Sequence, residues 1–251
     1  MAVHELSGSV DVWWFPTFFC QSRFGEYQSS GTNSCTLISL LVANRVAKSS
    51  ECGFAVTNSE LAKHAVDIFG AAINEGNAVY KRSTIANTRT SQNFNIPDAI
   101  ALLAAQPDLG FFIGEWFYTH LYANPNDSLY VTKASRTLAD IIEATIDVYK
   151  NKCKAANARF LFTALIADNR TVIFVFELPA NVVAVFDSHQ HGLGAGAIIA
   201  KSSITNVVDL IRWYLKMLFT LFNSKPKVIE LSFLASEADT LPKFKRRFYT
   251  C

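Results

Sequence analysis

No two cysteines in this 251-residue chain stand as Cys-x-x-Cys, and the five present, Cys20, Cys35, Cys52, Cys153 and Cys251, are an odd number without the spacing of a disulfide framework. This speaks against structural zinc and for a reducing compartment. An excess of charge is also lacking. A net charge of +2 gives no reason to expect nucleic acid or a membrane surface as a general partner. No apolar run approaches the roughly 18 residues of a membrane span. Asp209, Arg212 and Lys216 interrupt the nearest one. The first residues, Met1 to Asp11, carry early charges and no basic stretch leading into an apolar core, so no secretory signal is read. The expectation is a soluble protein of the cytoplasm or nucleus. No phosphate-binding glycine loop, internal repeat or Gly/Ser- or Pro-rich linker is present. No cofactor is therefore expected, and the chain is taken as one domain over 1–251, with a helical sub-lobe at about 31–150 and a sheet sub-lobe at about 159–236.

What is there is apolar: half of the residues are hydrophobic, enough for a substantial core. The stretch that organises the rest runs from Gly31-Thr-Asn-Ser-Cys35 into Leu37, Ile38, Leu40, Leu41 and Val42. The lead-in is polar and turn-forming. The apolar run covers more than one helical face, which predicts a buried helix with Cys35 in its first turn. Unpaired N–H groups and the positive end of the helix dipole favour a thiolate there. Cys35 is a candidate nucleophile.

A nucleophile needs a base. Thr171–Leu178 and Val182–Phe186 are β-rich and are separated by Pro179-Ala180-Asn181, which predicts a hairpin. If the second strand continues to His189, its two-residue period sets Asp187 and His189 on one face, placing the carboxylate to orient the imidazole. His191 follows as a neighbour facing substrate. His120 is the rival base, but no carboxylate accompanies it at strand spacing. Gln28 and Gln21 stand seven and fourteen residues before Cys35, and either amide is a candidate donor to an oxyanion.

Elsewhere, residues 11–30 are aromatic without clear period and predict irregular or short-strand structure. Thr57-Asn-Ser-Glu60 fits a capping box for a second helix ending near Gly76, followed by a loop over 77–95. Pro97 opens a short third helix, 109–121 reads as a strand, and 137–150 as an amphipathic helix. Strands over 160–167, 171–178 and 182–189 form an antiparallel meander. A Gly-rich turn, a fourth strand, a helix over 204–222 and a last strand over 227–234 follow. The basic, aromatic end from Lys243 to Cys251 reads as a solvated tail.

The Cys35 helix and the Asp187-Ser188-His189 element together resemble the papain-like cysteine peptidases. The narrower likeness is to the Asp-x-His element of herpesvirus tegument deubiquitinases, autophagy cysteine peptidases and ubiquitin-fold-modifier peptidases. That resemblance implies an α+β, papain-like fold in which a buried N-terminal helix carrying Cys35 packs on a mainly antiparallel sheet carrying the Asp-x-His. It also implies ubiquitin or a ubiquitin-like protein as substrate, with a glutamine upstream of the cysteine completing the oxyanion hole. Two departures stand out: Ser188 occupies a position those families often give to proline, and Thr32, Asn33 and Ser34 replace aromatic surroundings at the cysteine. A thiol acyltransferase and an inactive peptidase-fold binding module are the alternatives.

Overall fold

The computed structural model describes residues 1–27, 33–49, 60–87, 93–104, 111–152 and 159–236. Five helices and eight strands are assigned among them. In chain order these are β1 (Val3–Ser7), β2 (Val10–Trp14), α1 (Cys35–Lys48), α2 (Lys63–Asn87), α3 (Ile96–Leu103), β3 (Phe111–His120) and α4 (Tyr130–Lys152). Then come β4 (Phe160–Ala167), β5 (Arg170–Glu177), β6 (Val182–Asp187), β7 (Ile198–Ser203), α5 (Val207–Phe222) and β8 (Val228–Ser236). The strands form one sheet in the order β1-β2-β7-β6-β5-β4-β8-β3, and each neighbouring pair is antiparallel.

Alternation along each strand divides the interior in two. On β4, Phe160, Phe162 and Ala164 face the core built with α1, α2 and α3, while Leu161, Leu165 and Ala167 face the core built with α4 and α5. Both faces of the central strands are buried, which is why β5 reads Thr-Val-Ile-Phe-Val-Phe without polar interruption. Helix α1 lies deepest, against α2, α3 and β5. Its Leu37, Ile38, Leu40, Leu41, Val42 and Val46 are all but fully buried, and so are Thr36 and Ser39 between them. The expected buried cysteine helix packed on an antiparallel sheet is the arrangement found.

Three expectations are corrected, and one element, the N-terminal hairpin, is unanticipated. Helix α2 does not stop at Gly76 but continues through the supposed loop to Asn87. Gly76 serves a different purpose: a Cβ there would stand 2.5 Å from Cγ1 of Ile38, so the missing side chain lets α1 and α2 approach closely. Helix α4 starts at Tyr130, seven residues before the expected start. The N-terminus forms a hairpin, β1 to β2, turning at Gly8 (φ 64°). Strand β6 ends at Asp187 and does not reach His189. Helix α3 matches its signal, with Asn95 capping Asp98 N–H at 2.7 Å and Pro97 in the first turn. Thr57, Asn58 and Ser59 of the expected capping box, and the tail from Lys243, lie outside the described residues. No helix among the described residues is long and apolar enough to cross a membrane.

Candidate active site

Cys35 is the first residue of α1, preceded by Ser34. Ser34 occupies the N-cap position without capping: its hydroxyl instead donates to Oδ1 of Asn77 on α2 at 2.6 Å. No acidic residue stands in the first turn. The positive end of the helix is thus left to act on the sulfur.

The early end of β6 gives the site its crossing. Val183 and Val185 face the α4–α5 core, while Ala184 and Phe186 face the α1 core. Asp187 takes the parity of Val185 and turns toward α5. A continued strand would have carried His189 to that same face, away from Cys35. Instead the chain bends at once: the His189 backbone N–H donates to Oδ1 of Asp187 at 3.0 Å, and His189 Nδ1 meets the same oxygen at 2.6 Å. The carboxylate still orients the ring, but through a turn and not through strand period.

With Nδ1 on Asp187, Nε2 is the nitrogen left for the sulfur, and Cys35 and His189 interact through a side-chain hydrogen bond and through their charges. Burial pushes the Cys35 thiol up. The His189 hydrogen bond and charge, with the Thr171 N–H and hydroxyl, more than reverse this, and the thiol lies below its ordinary value. Burial likewise pulls His189 down, but the charge and hydrogen bond of Asp187, followed by those of Cys35, raise it to about 10. Asp187 is raised by burial and lowered further by His189 and His191, so its carboxyl lies well below the usual range. These shifts all favour the charged forms: a thiolate beside an imidazolium beside a carboxylate. Cys35 retains 5% exposure, the His189 side chain 11% and Asp187 none, so the reactive pair keeps a narrow access to solvent and the orienting group lies behind it.

No family model matches this chain, and no curated protein matches it in sequence. Solved structures similar to it include one of viral and one of bacterial origin. One is the ubiquitin-specific protease encoded by murine cytomegalovirus tegument protein M48, in complex with a ubiquitin-based suicide substrate. Its TM-score is 0.48 at 9% identity, covering 89% of this chain and 84% of that one. The other is the Pseudomonas avirulence protein AvrPphB, with TM-score 0.45 at 16% identity, covering 81% of this chain and 92% of that one. What the site can do follows from its own atoms.

Of the glutamines, Gln28 lies outside the described residues. Gln21 is buried and fastened to both halves of the site. Its Oε1 accepts from the Ser188 hydroxyl at 2.9 Å, its backbone N–H donates to the Ser188 carbonyl at 2.8 Å, and its own carbonyl accepts from Asn77 Nδ2 at 2.7 Å. Asn77 joins this run to Ser34. Ser188 therefore makes a hydroxyl hydrogen bond that a proline at this position could not make. His191 is not brought to the surface: it is buried, with Nε2 3.2 Å from Oδ2 of Asp187 and Nδ1 2.8 Å from the Gly196 carbonyl oxygen. His120 is exposed at the end of β3, on the sheet edge separated from β6 by β8, β4 and β5, with its ring tilted against that of Tyr122.

Sequence reading passed over the turn between β4 and β5. Asp168 and Asn169 take φ 46° and 62°, a tight two-residue hairpin, and the Asn169 carbonyl oxygen lies 4.0 Å from Cys35 Sγ. Thr171, just beyond, packs its hydroxyl 2.7 Å from that of Thr36. The Asp-Asn pair between two β-rich runs was the available signal. Nothing local in the sequence says that this turn meets α1. Among the described residues, no group of three or more His, Cys, Asp or Glu has the makings of a metal site.

Proposed function

We propose that this chain is a thiol peptidase or isopeptidase of the papain-like kind, with Cys35 as nucleophile, His189 as acid and base, and Asp187 as the group that orients His189. The observation that carries this reading is that Cys35, at a helix N-terminus, interacts with His189, whose Nδ1 stands 2.6 Å from Asp187 Oδ1. The thiolate attacks a peptide or isopeptide carbonyl carbon, and the oxygen takes the negative charge. The Cys35 N–H and the Gln21 amide are the donors we assign to that oxygen. Support for Gln21 comes from its two links to Ser188, next to His189, and its link through Asn77 to Ser34, next to Cys35. As the C–N bond breaks, His189 Nε2–H gives its proton to the departing amine, leaving a thioester. His189, now neutral, takes a proton from water, whose oxygen attacks the thioester. The carboxylic acid leaves, and the thiolate and imidazolium are restored.

The substrate class we assign, ubiquitin or a ubiquitin-like modifier, rests on the likeness of Asp187-Ser188-His189 to the Asp-x-His element of modifier peptidases. The test is incubation with ubiquitin and ubiquitin-like proteins bearing a C-terminal electrophile, followed by peptide mapping. A covalent adduct on Cys35 is expected, absent in Cys35→Ala. A Cys35→Ala variant that still cleaves would end the peptidase reading, while hydrolysis of other peptides without any modifier adduct would end only the substrate assignment.

A further inference from the structure

Asp187 has two oxygens, and the reaction described above uses one. Oδ1 accepts both His189 donors, at 2.6 and 3.0 Å. Oδ2 points to Nε2 of His191 at 3.2 Å, and both side chains are fully shielded from solvent. His191 is itself fixed on every side. Nδ1 meets the Gly196 carbonyl oxygen at 2.8 Å, and the backbone N–H donates to the Ala195 carbonyl at 2.9 Å. Its ring stands between Trp14 and Phe222, with centroids at 5.9 and 5.8 Å and interplanar angles of 75° and 63°. Gly196 is held in turn: its N–H donates to the Phe15 carbonyl, and a Cβ there would lie 2.3 Å from the Pro16 carbonyl oxygen. From α5 the buried Tyr214 hydroxyl also interacts with Asp187, and burial together with that charge raises the phenol well above its ordinary range.

The chemistry of those contacts is restrictive. A carbonyl and a carboxylate oxygen only accept, so satisfying both takes a hydrogen on each nitrogen of His191. The buried Asp187 carboxylate thus meets an imidazole on each of its two oxygens, His189 on Oδ1 and His191 on Oδ2. Unbalanced charge in that position would be expensive.

We propose that His191 is a positioning residue for the peptidase chemistry, clamping Oδ2 of Asp187 so that Oδ1 is presented to His189. This inference rests on the peptidase reading. A carboxylate held by one oxygen alone can rotate, and rotation would swing the imidazole off the sulfur. The clamp removes that freedom from behind, through a residue that touches neither substrate nor the reacting atoms.

Two measurements on the full chain test it. In the wild type, long-range ¹H–¹⁵N NMR of the imidazoles at neutral pH is expected to show a hydrogen on His191 Nε2. A bare Nε2 would overturn the proposal without reference to any variant. Second, iodoacetamide alkylation of Cys35 is followed across pH at the peptide level in wild type, His191→Phe and His191→Gln, with thermal unfolding as a check on folding. Because each unit of pKa is tenfold in thiolate fraction on the acid side, His191→Phe, which keeps a ring without a donor, is expected to react about tenfold more slowly at mildly acidic pH. His191→Gln, which retains an N–H for Oδ2, is expected within about threefold of wild type. An unchanged profile in folded His191→Phe would reduce His191 to packing and overturn the proposal. A wild type whose Cys35 shows no acid-side reactivity would instead defeat the peptidase reading beneath it.

Discussion

At Asp187 a single oxygen fixes a ring and a backbone N–H of the same residue, so the carboxylate sets both where His189 stands and which of its nitrogens faces Cys35. Asp187→Asn keeps the shape and removes the charge. Turnover is expected to fall by about 100-fold or more, measured as kcat on a cleavable substrate. The sign of the pH dependence follows from the two shifts. Protonating a thiol that lies below its ordinary value removes the nucleophile at low pH, and deprotonating an imidazole raised to about 10 removes the acid at high pH. Activity is therefore expected to rise below the usual thiol range and fall near pH 10. In Asp187→Asn the upper limb should move down, because the carboxylate's charge is what raises His189. Ser188→Ala releases Oε1 of Gln21. If Gln21 serves the oxyanion, kcat should drop by about tenfold with little change in KM.

Among the elements, α1 determines where the sulfur sits, and α2 determines how close α1 can lie. Gly76→Ala improves helix propensity by about 1 kcal/mol, yet the new Cβ has Ile38 Cγ1 at 2.5 Å and the Ile38 backbone nitrogen at 3.2 Å. The expected balance is destabilisation by about 1–3 kcal/mol, read from denaturant unfolding, together with slower Cys35 alkylation as α1 is displaced. That glycine also shows what sequence reading misses. A glycine near the end of a periodic stretch predicts a helix stop, and only a neighbouring helix reveals it as a contact point. Legible elements had strong local signals: the polar-to-apolar junction at Cys35, Pro97 in the first turn of α3, and the hairpin at Asn181, where φ is 54°. The end of β6 was hidden for the opposite reason, since Val-Val-Ala-Val-Phe continues smoothly into Asp-Ser-His. Only burial on the far face of the sheet decides that the chain must turn there.

Over the whole molecule, one antiparallel sheet separates two cores, and the candidate site lies where the chain passes round the sheet's end from one to the other. Cys35 and Gln21 come from the side of α1 and α2, Asp187 and His191 from the side of α5, and His189 bridges them. Cys35, His189 and Asp187 could be picked from sequence because each carries a chemical signature. Asn77, Thr171 and Ser34 could not, because what matters about them is a contact with distant chain: Ser34 with Asn77, Asn77 with Gln21, and Thr171 with Thr36. All of this depends on one pair of groups being ionised at rest. The ultraviolet absorbance of the thiolate, titrated against pH as the difference between wild type and Cys35→Ala, reports that ionisation directly. The step assigned to Cys35 should occur well on the acid side of an ordinary thiol and move upward in His189→Ala. A step at the ordinary thiol position, unmoved by His189→Ala, would show that the sulfur and the imidazole do not work together.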